Sequence, residues 1–169
     1  MTDSRDIWIL GEQRDGVIAS VTHELLTRGR RLADDRSARL TVVLCGDRMS
    51  EDGLAELIER GADRVVAVEA PELAAFDVER YAACILDLIR GRDPEILIAA
   101  ATTTGWTLMP YVAIKANTGL TADCTGLDID PQTGLLLQTR PAIGGNVMAT
   151  IRTPAHRPQM ATVRPRSTA

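Results

Sequence analysis

The chain has 169 residues, a formal net charge of −4, 45% hydrophobic residues and only 3% aromatic ones. This is one domain's length, enough to close a core without disulfides or metals. The acidic balance argues against a nucleic-acid binder, and the shortage of rings against a base-stacking platform. No apolar run has the length of a membrane span, and the polar start MetThrAspSerArgAsp is unlike a secretory signal. Cys45, Cys84 and Cys124 are few and widely spaced, the pattern of reduced thiols in a cytoplasmic protein.

The elements alternate in chain order. IleTrpIleLeu at 7–10 predicts a first strand. Residues 16–36 place Val17, Val21, Leu25 and Leu32 at helical spacing, with Glu24 and Arg28 as an i,i+4 pair on the exposed side. A second strand follows at 40–45, and a helix at 51–60 runs through Leu54, Leu57 and Ile58 to a stop at Gly61. The third strand is 64–69, and the next helix is 77–90, with Asp77 as N-cap and Gly91 as stop. The fourth strand is 95–100, after which Thr102 or Thr103 caps a helix at about 105–116.

Such alternation implies right-handed βαβ units, hence a three-layer α/β fold with a parallel sheet between helices. Ligands of these folds sit beyond the carboxyl ends of the strands. Those ends are Gly11-Glu12-Gln13, Gly46-Asp47, Glu69-Ala70-Pro71 and Ala101-Thr102-Thr103-Thr104-Gly105. None carries the glycine spacing of a phosphate-binding loop.

After Thr118 the helical period disappears. A strand at 124–130, a turn at 131–134 and a strand at 135–140 predict a hairpin, followed by a Gly-rich loop at 140–146 and strands at 147–153 and within 157–165. These predict a C-terminal antiparallel extension. Arg140, Gly144, Gly145, Asn146, Arg157 and Gln159 are its candidate functional residues, although most surface arginines are solvated or weakly paired. His23 and His156 have no nucleophile beside them in the sequence, and Asp47, Asp52 and Asp63 lack metal-ligand spacing, so neither a catalytic nor a metal site is expected.

Three runs carry a family likeness: ThrGlyLeuThrAlaAspCysThrGlyLeuAspIleAsp from 118, ThrArgProAlaIleGlyGlyAsnValMetAlaThrIle from 139, and ArgProGlnMetAlaThrValArgPro from 157. Together with IleTrpIleLeuGlyGluGlnArgAspGly near the start, they resemble the N-terminal domain of the electron transfer flavoprotein α-subunit, in the wording of its electron-bifurcating subgroup. The resemblance implies a nucleotide-hydrolase-like sheet with a hairpin extension over residues 1–165. Residues 166–169 would begin a linker to an FAD-binding domain that this sequence does not contain. It further implies an electron carrier without catalysis of its own, a β-subunit as partner, acyl-CoA or other flavin dehydrogenases as redox partners, and FAD in the assembled complex but none held tightly by this chain alone.

The same resemblance puts Arg140 close to a flavin, supported by Gly144-Gly145-Asn146 and by Arg157 and Gln159. A hydrogen bond from a charged group is worth about 1.5–3 kcal/mol, which would move a one-electron potential by roughly 65–130 mV. Where family members commonly have Gly-Arg this chain has Gly105-Trp106, and Trp106 is expected to pack against a neighbouring element. The alternative is a stand-alone nucleotide-binding α/β module, against which the missing Gly-rich loop counts.

Overall fold

The computed structural model describes residues 6–167. The start of the N-terminal segment and the last two positions of the expected linker, 168–169, lie outside the described residues.

The chain opens with β1 (Ile7–Leu10), whose four residues are all buried. Side chains alternate along a strand. Ile7 and Ile9 therefore enter one core, with Leu25, Leu26 and Leu57, while Trp8 and Leu10 enter the other, with Tyr81, Ile85, Leu108 and Met109. A minimal hairpin follows, β2 (Gln13–Arg14) and β3 (Val17–Ile18). Its two turn residues, Asp15 and Gly16, have φ of 50° and 84°, the left-handed pair that a two-residue hairpin turn requires. This hairpin uses residues the helical period assigned to the first helix, so α1 begins later (Ser20–Arg36).

β4 (Leu40–Gly46) is buried throughout, α2 is Glu51–Glu59, and β5 is Arg64–Glu69. A single 3₁₀ turn at Pro71–Leu73 leads to α3 (Val78–Arg92). Asp77 caps α3 by accepting from Arg80 N at 2.9 Å. Gly91 lies inside α3, which stops instead where Asp93 turns left-handed, at φ 47°. β6 (Ile96–Ala100) and α4 (Thr103–Lys115) follow. Thr102 is the cap of α4, accepting from Gly105 N at 3.1 Å.

The central sheet has six strands in the order β5-β4-β1-β6-β11-β7, all parallel, with β7 at Leu120–Cys124 and β11 at Gln159–Val163. This corrects the expected antiparallel placement of the last strand. All five β11 residues are buried, and a strand covered on both faces belongs inside a parallel sheet. The antiparallel part is a separate three-stranded sheet of β8 (Gly126–Ile129), β9 (Leu136–Pro141) and β10 (Met148–Ile151), with β9 in the middle.

Glu24 and Arg28 do not form the expected exposed pair. Arg28 donates to Thr125 O at 3.5 Å and to Ser167 Oγ at 2.8 Å, and Glu24 accepts from Arg166 N, so both hold later chain segments against α1. Among the described residues no helix is long and apolar enough to cross a membrane, and no three side chains are grouped to hold a metal ion.

Candidate functional site

The candidate residues fall in two places. Arg140 lies near the end of β9, half-buried, in register with Ala149 of β10. Burial pushes the Cys124 thiol, at the end of β7, up to about 11, and the positive charges of Arg140 and Arg28 act against that rise. No carboxylate among the described residues pairs with Arg140. The β9–β10 connection is closed by Ala142 N donating to Val147 O at 2.7 Å and Gly145 N to Ala142 O at 3.1 Å. Gly144 and Gly145 have φ of 91° and 74°, so the backbone requires glycine there, while the space around each is open. Asn146 is exposed beside them.

The arm is also apolar. Ile143 is fully exposed, and Val147, Met148 and Ile151 continue an exposed hydrophobic edge along the same hairpin. Single exposed apolar residues are ordinary; here four stand on one hairpin.

Arg157 and Gln159 lie elsewhere. Arg157 Nε donates to Glu95 Oε1 at 3.0 Å, and its Nη1 reaches the carbonyls of Thr153, Pro154 and His156. Gln159 is fully buried: its amide nitrogen donates to Glu95 Oε1 at 3.2 Å and its oxygen accepts from Leu136 N at 2.9 Å. Arg36 adds a further contact to the same carboxylate at 3.3 Å. Gln159 thus fixes the first residue of β9, and Arg140 is four residues further along, about 14 Å at the usual strand rise. Every polar group of this knot that meets Glu95 or a carbonyl is engaged by protein.

Trp106 is 55% exposed, and its indole nitrogen meets the neighbouring β7 by donating to Asp123 Oδ1 at 2.9 Å. His156 is exposed, and His23 lies on α1.

A cavity of about 450 Å³ opens at the carboxyl ends of β1, β4 and β6. Its floor is Leu10, Cys45, Ala99 and Leu108, and Phe76 and Tyr81 stand over it with ring centroids 5.1 Å apart at 83°. Glu12 Oε1 accepts from Thr102 Oγ1 at 2.5 Å. Gln13 donates to Cys45 O at 3.1 Å and accepts from Gly16 N at 2.9 Å, and Ser50 N donates to Gly16 O at 3.0 Å, so the hairpin is tied down on the β4–α2 loop. The strand ends Gly11-Glu12-Gln13 and Thr102–Gly105 were legible in the sequence as ligand-side positions. Phe76 and Tyr81 were not, because nothing local shows that the β5–α3 segment folds over β1.

Fold and site together define a doubly wound α/β domain whose last strand re-enters the sheet behind a projecting antiparallel arm. The family model described as electron transfer flavoprotein domain matches residues 7–169. The chain is 49% identical over 165 residues to an electron transfer flavoprotein subunit alpha of Thermoanaerobacterium thermosaccharolyticum, covering 98% of this chain and 49% of that protein. It is 47% identical over 165 residues to Protein FixB of Clostridium saccharobutylicum, again covering 98% and 49%. An acryloyl-CoA reductase electron transfer subunit beta of Anaerotignum propionicum is 39% identical over 183 residues, covering 95% of this chain and 50% of that protein. The chain belongs to the electron transfer flavoprotein family, and its sequence is of the α-subunit and FixB kind. It spans about half the length of these relatives.

Proposed function

We propose that this chain is the N-terminal domain of an electron transfer flavoprotein α-subunit, within residues 1–165, and that residues 166–169 lead towards an FAD-binding region. In this reading it catalyses nothing itself. It packs with a β-subunit through the β9–β10 arm and contributes Arg140 to a flavin environment. FAD, when bound, supplies the electron storage, and this chain supplies position and charge. The observation that carries the reading is the arm itself, where an apolar edge and an arginine without a carboxylate partner among the described residues share one hairpin.

Arg140 fits an electron-rich flavin edge because a cation already half-desolvated loses little more on meeting one. Gly144 and Gly145 let the loop approach closely, Asn146 offers an amide, and Arg157 with Gln159 holds the far end of β9 in place. Acyl-CoA or other flavin dehydrogenases belong to the assembled protein, as does bifurcation, which the wording of residues 118–165 supports. Bifurcation is tested by asking whether an assembly reduced by electron pairs delivers them singly to acceptors of different potential.

The direct test mixes this chain with the electron transfer flavoprotein β-subunit encoded in the same genome. A 1:1 complex in gel filtration is expected, and Ile143→Asp should abolish it while leaving the circular dichroism spectrum unchanged. Two proteins that elute separately, or a complex indifferent to Ile143→Asp, would contradict this assignment of the arm.

A further inference from the structure

We infer that the cavity at the carboxyl ends of β1, β4 and β6 is a binding site for an uncharged nucleoside, and that it rejects the phosphorylated form. The site is separate from the β9–β10 arm and does not depend on it.

Position comes first. In the order β5-β4-β1-β6-β11-β7 the chain leaves β1 towards β4 and β5 on one side and leaves β6 towards β7 on the other, with β11 returning between β6 and β7. Two connections diverge at the β1/β6 boundary to opposite faces of the sheet, which is where doubly wound folds leave a crevice. The cavity lies at that boundary, and its volume of about 450 Å³ falls within the usual ligand range of roughly 300–1,000 Å³. Its walls are fixed by the hydrogen bonds of Gln13, Gly16 and Ser50, so the space exists before any ligand arrives.

The lining then selects a ligand class. Leu10, Ala99 and Leu108 make an apolar floor, and Phe76, 41% exposed, lines the mouth. Tyr81 is buried, its hydroxyl donates to Leu73 O at 2.8 Å, and its ring backs Phe76 edge-on. One exposed ring above an apolar floor is a place for a flat heterocycle to stack. The polar groups on the other wall include Glu12 and Asp15, acceptors suited to sugar hydroxyls.

Phosphate is excluded by the same residues. In phosphate-binding relatives of this fold the start of the helix after a strand is open to the anion. Here the Thr102 hydroxyl accepts from Gly105 N and donates to Glu12 Oε1, so the protein's own carboxylate already stands at the start of α4. A phosphate entering there would meet Glu12 with Asp15 close by, against one lining cation, Arg14. Like charges brought together at a binding site oppose association strongly.

Isothermal titration of this chain with adenosine and, separately, with adenosine monophosphate tests the inference. Adenosine should bind with one site per chain, and the monophosphate about tenfold more weakly or worse. Glu12→Gln keeps the oxygen that accepts from Thr102 and removes the charge, so it should narrow that gap. Ala74→Trp at the exposed rim should block adenosine binding with an unchanged circular dichroism spectrum. The inference fails if adenosine gives no saturable heat up to millimolar concentration, if the monophosphate binds the native chain as tightly as adenosine, or if folded Ala74→Trp binds as before.

Discussion

At the residue scale the sharpest constraint is Gly105. A methyl group there would overlap the carbonyl oxygen of Ala100, a backbone atom at the end of β6 that cannot swing aside. Gly105 therefore sets how closely α4 approaches the sheet, and with it the depth of the nucleoside cavity. Overpacking of this kind costs about 1–3 kcal/mol. Gly105→Ala should lower Tm by roughly 2–12 °C, at about 2–4 °C per kcal/mol for a chain of this size, readable by calorimetry. Gln159 is as confined but for polar reasons. Gln159→Met would leave Leu136 N–H and one Glu95 contact unsatisfied in the interior, at about 1–3 kcal/mol in urea unfolding. Buried thiols give a third check. Burial pushes Cys45 up to about 12 and Cys124 up to about 11, so at pH 8 neither is a thiolate. An aromatic disulfide reagent should leave both untouched in the folded chain, with Cys84 the group open to reaction, and should react with all three after denaturation.

At the element scale, small polar contacts decide where strands begin. Asp63 accepts from Leu40 N at 2.7 Å and from Arg30 at 2.9 Å, joining the start of β4, the approach to β5 and the side of α1. Burial pushes its carboxyl upward, but the Leu40 amide and the Arg30 guanidinium outweigh that and leave it below the ordinary range. A carboxyl lowered by folding stabilises the native state above its unfolded value, about 3.9, and loses that contribution as pH falls through the lower folded value. Asp63→Asn should thus lower Tm at pH 7, and the difference from the native chain should shrink below about pH 4. Much of this level was legible in the sequence. β1, β4 and β6 are continuous apolar runs bounded by caps, and Asp77 and Thr102 announced α3 and α4. What was not legible depends on partners far along the chain. The five residues of β11 contain Gln159 and Thr162, a composition equally suited to an exposed antiparallel edge. Their burial follows only once Glu95, more than sixty residues earlier, satisfies the glutamine. β7 was hidden because Asp123, at φ 57°, accompanies a register shift that breaks the alternation a strand would show. For the same reason Arg157 and Gln159 could be nominated as candidates without their shared carboxylate being visible.

At the scale of the whole molecule, the return of the chain into the sheet separates what folds from what docks. β11 lies between β6 and β7, so the sheet is not closed until residues 159–163 are in place. The β9–β10 arm, by contrast, ends in a loop where a methyl group added at Gly144 or Gly145 would meet nothing within 4 Å. Stability should therefore depend on the last strand and not on the arm's tip. Removing the segment from Gln159 onward would open β6 and β7, leave Leu136 N unpaired, and give a chain without a cooperative thermal transition. Replacing residues 142–147 with the two-residue turn Asn-Gly keeps the register of Pro141 with Met148 and suits a tight hairpin. That variant should melt within about 2 °C of the native chain, since the loop it removes is exposed. It deletes Ile143, Gly144, Gly145 and Asn146 together, so it should also lose the β-subunit complex that the native chain forms. A shortened arm that still assembles would move the docking surface elsewhere. One that melts far lower would make the arm part of the fold, and only intact melting with lost assembly supports the arm as the place where this domain meets its partner.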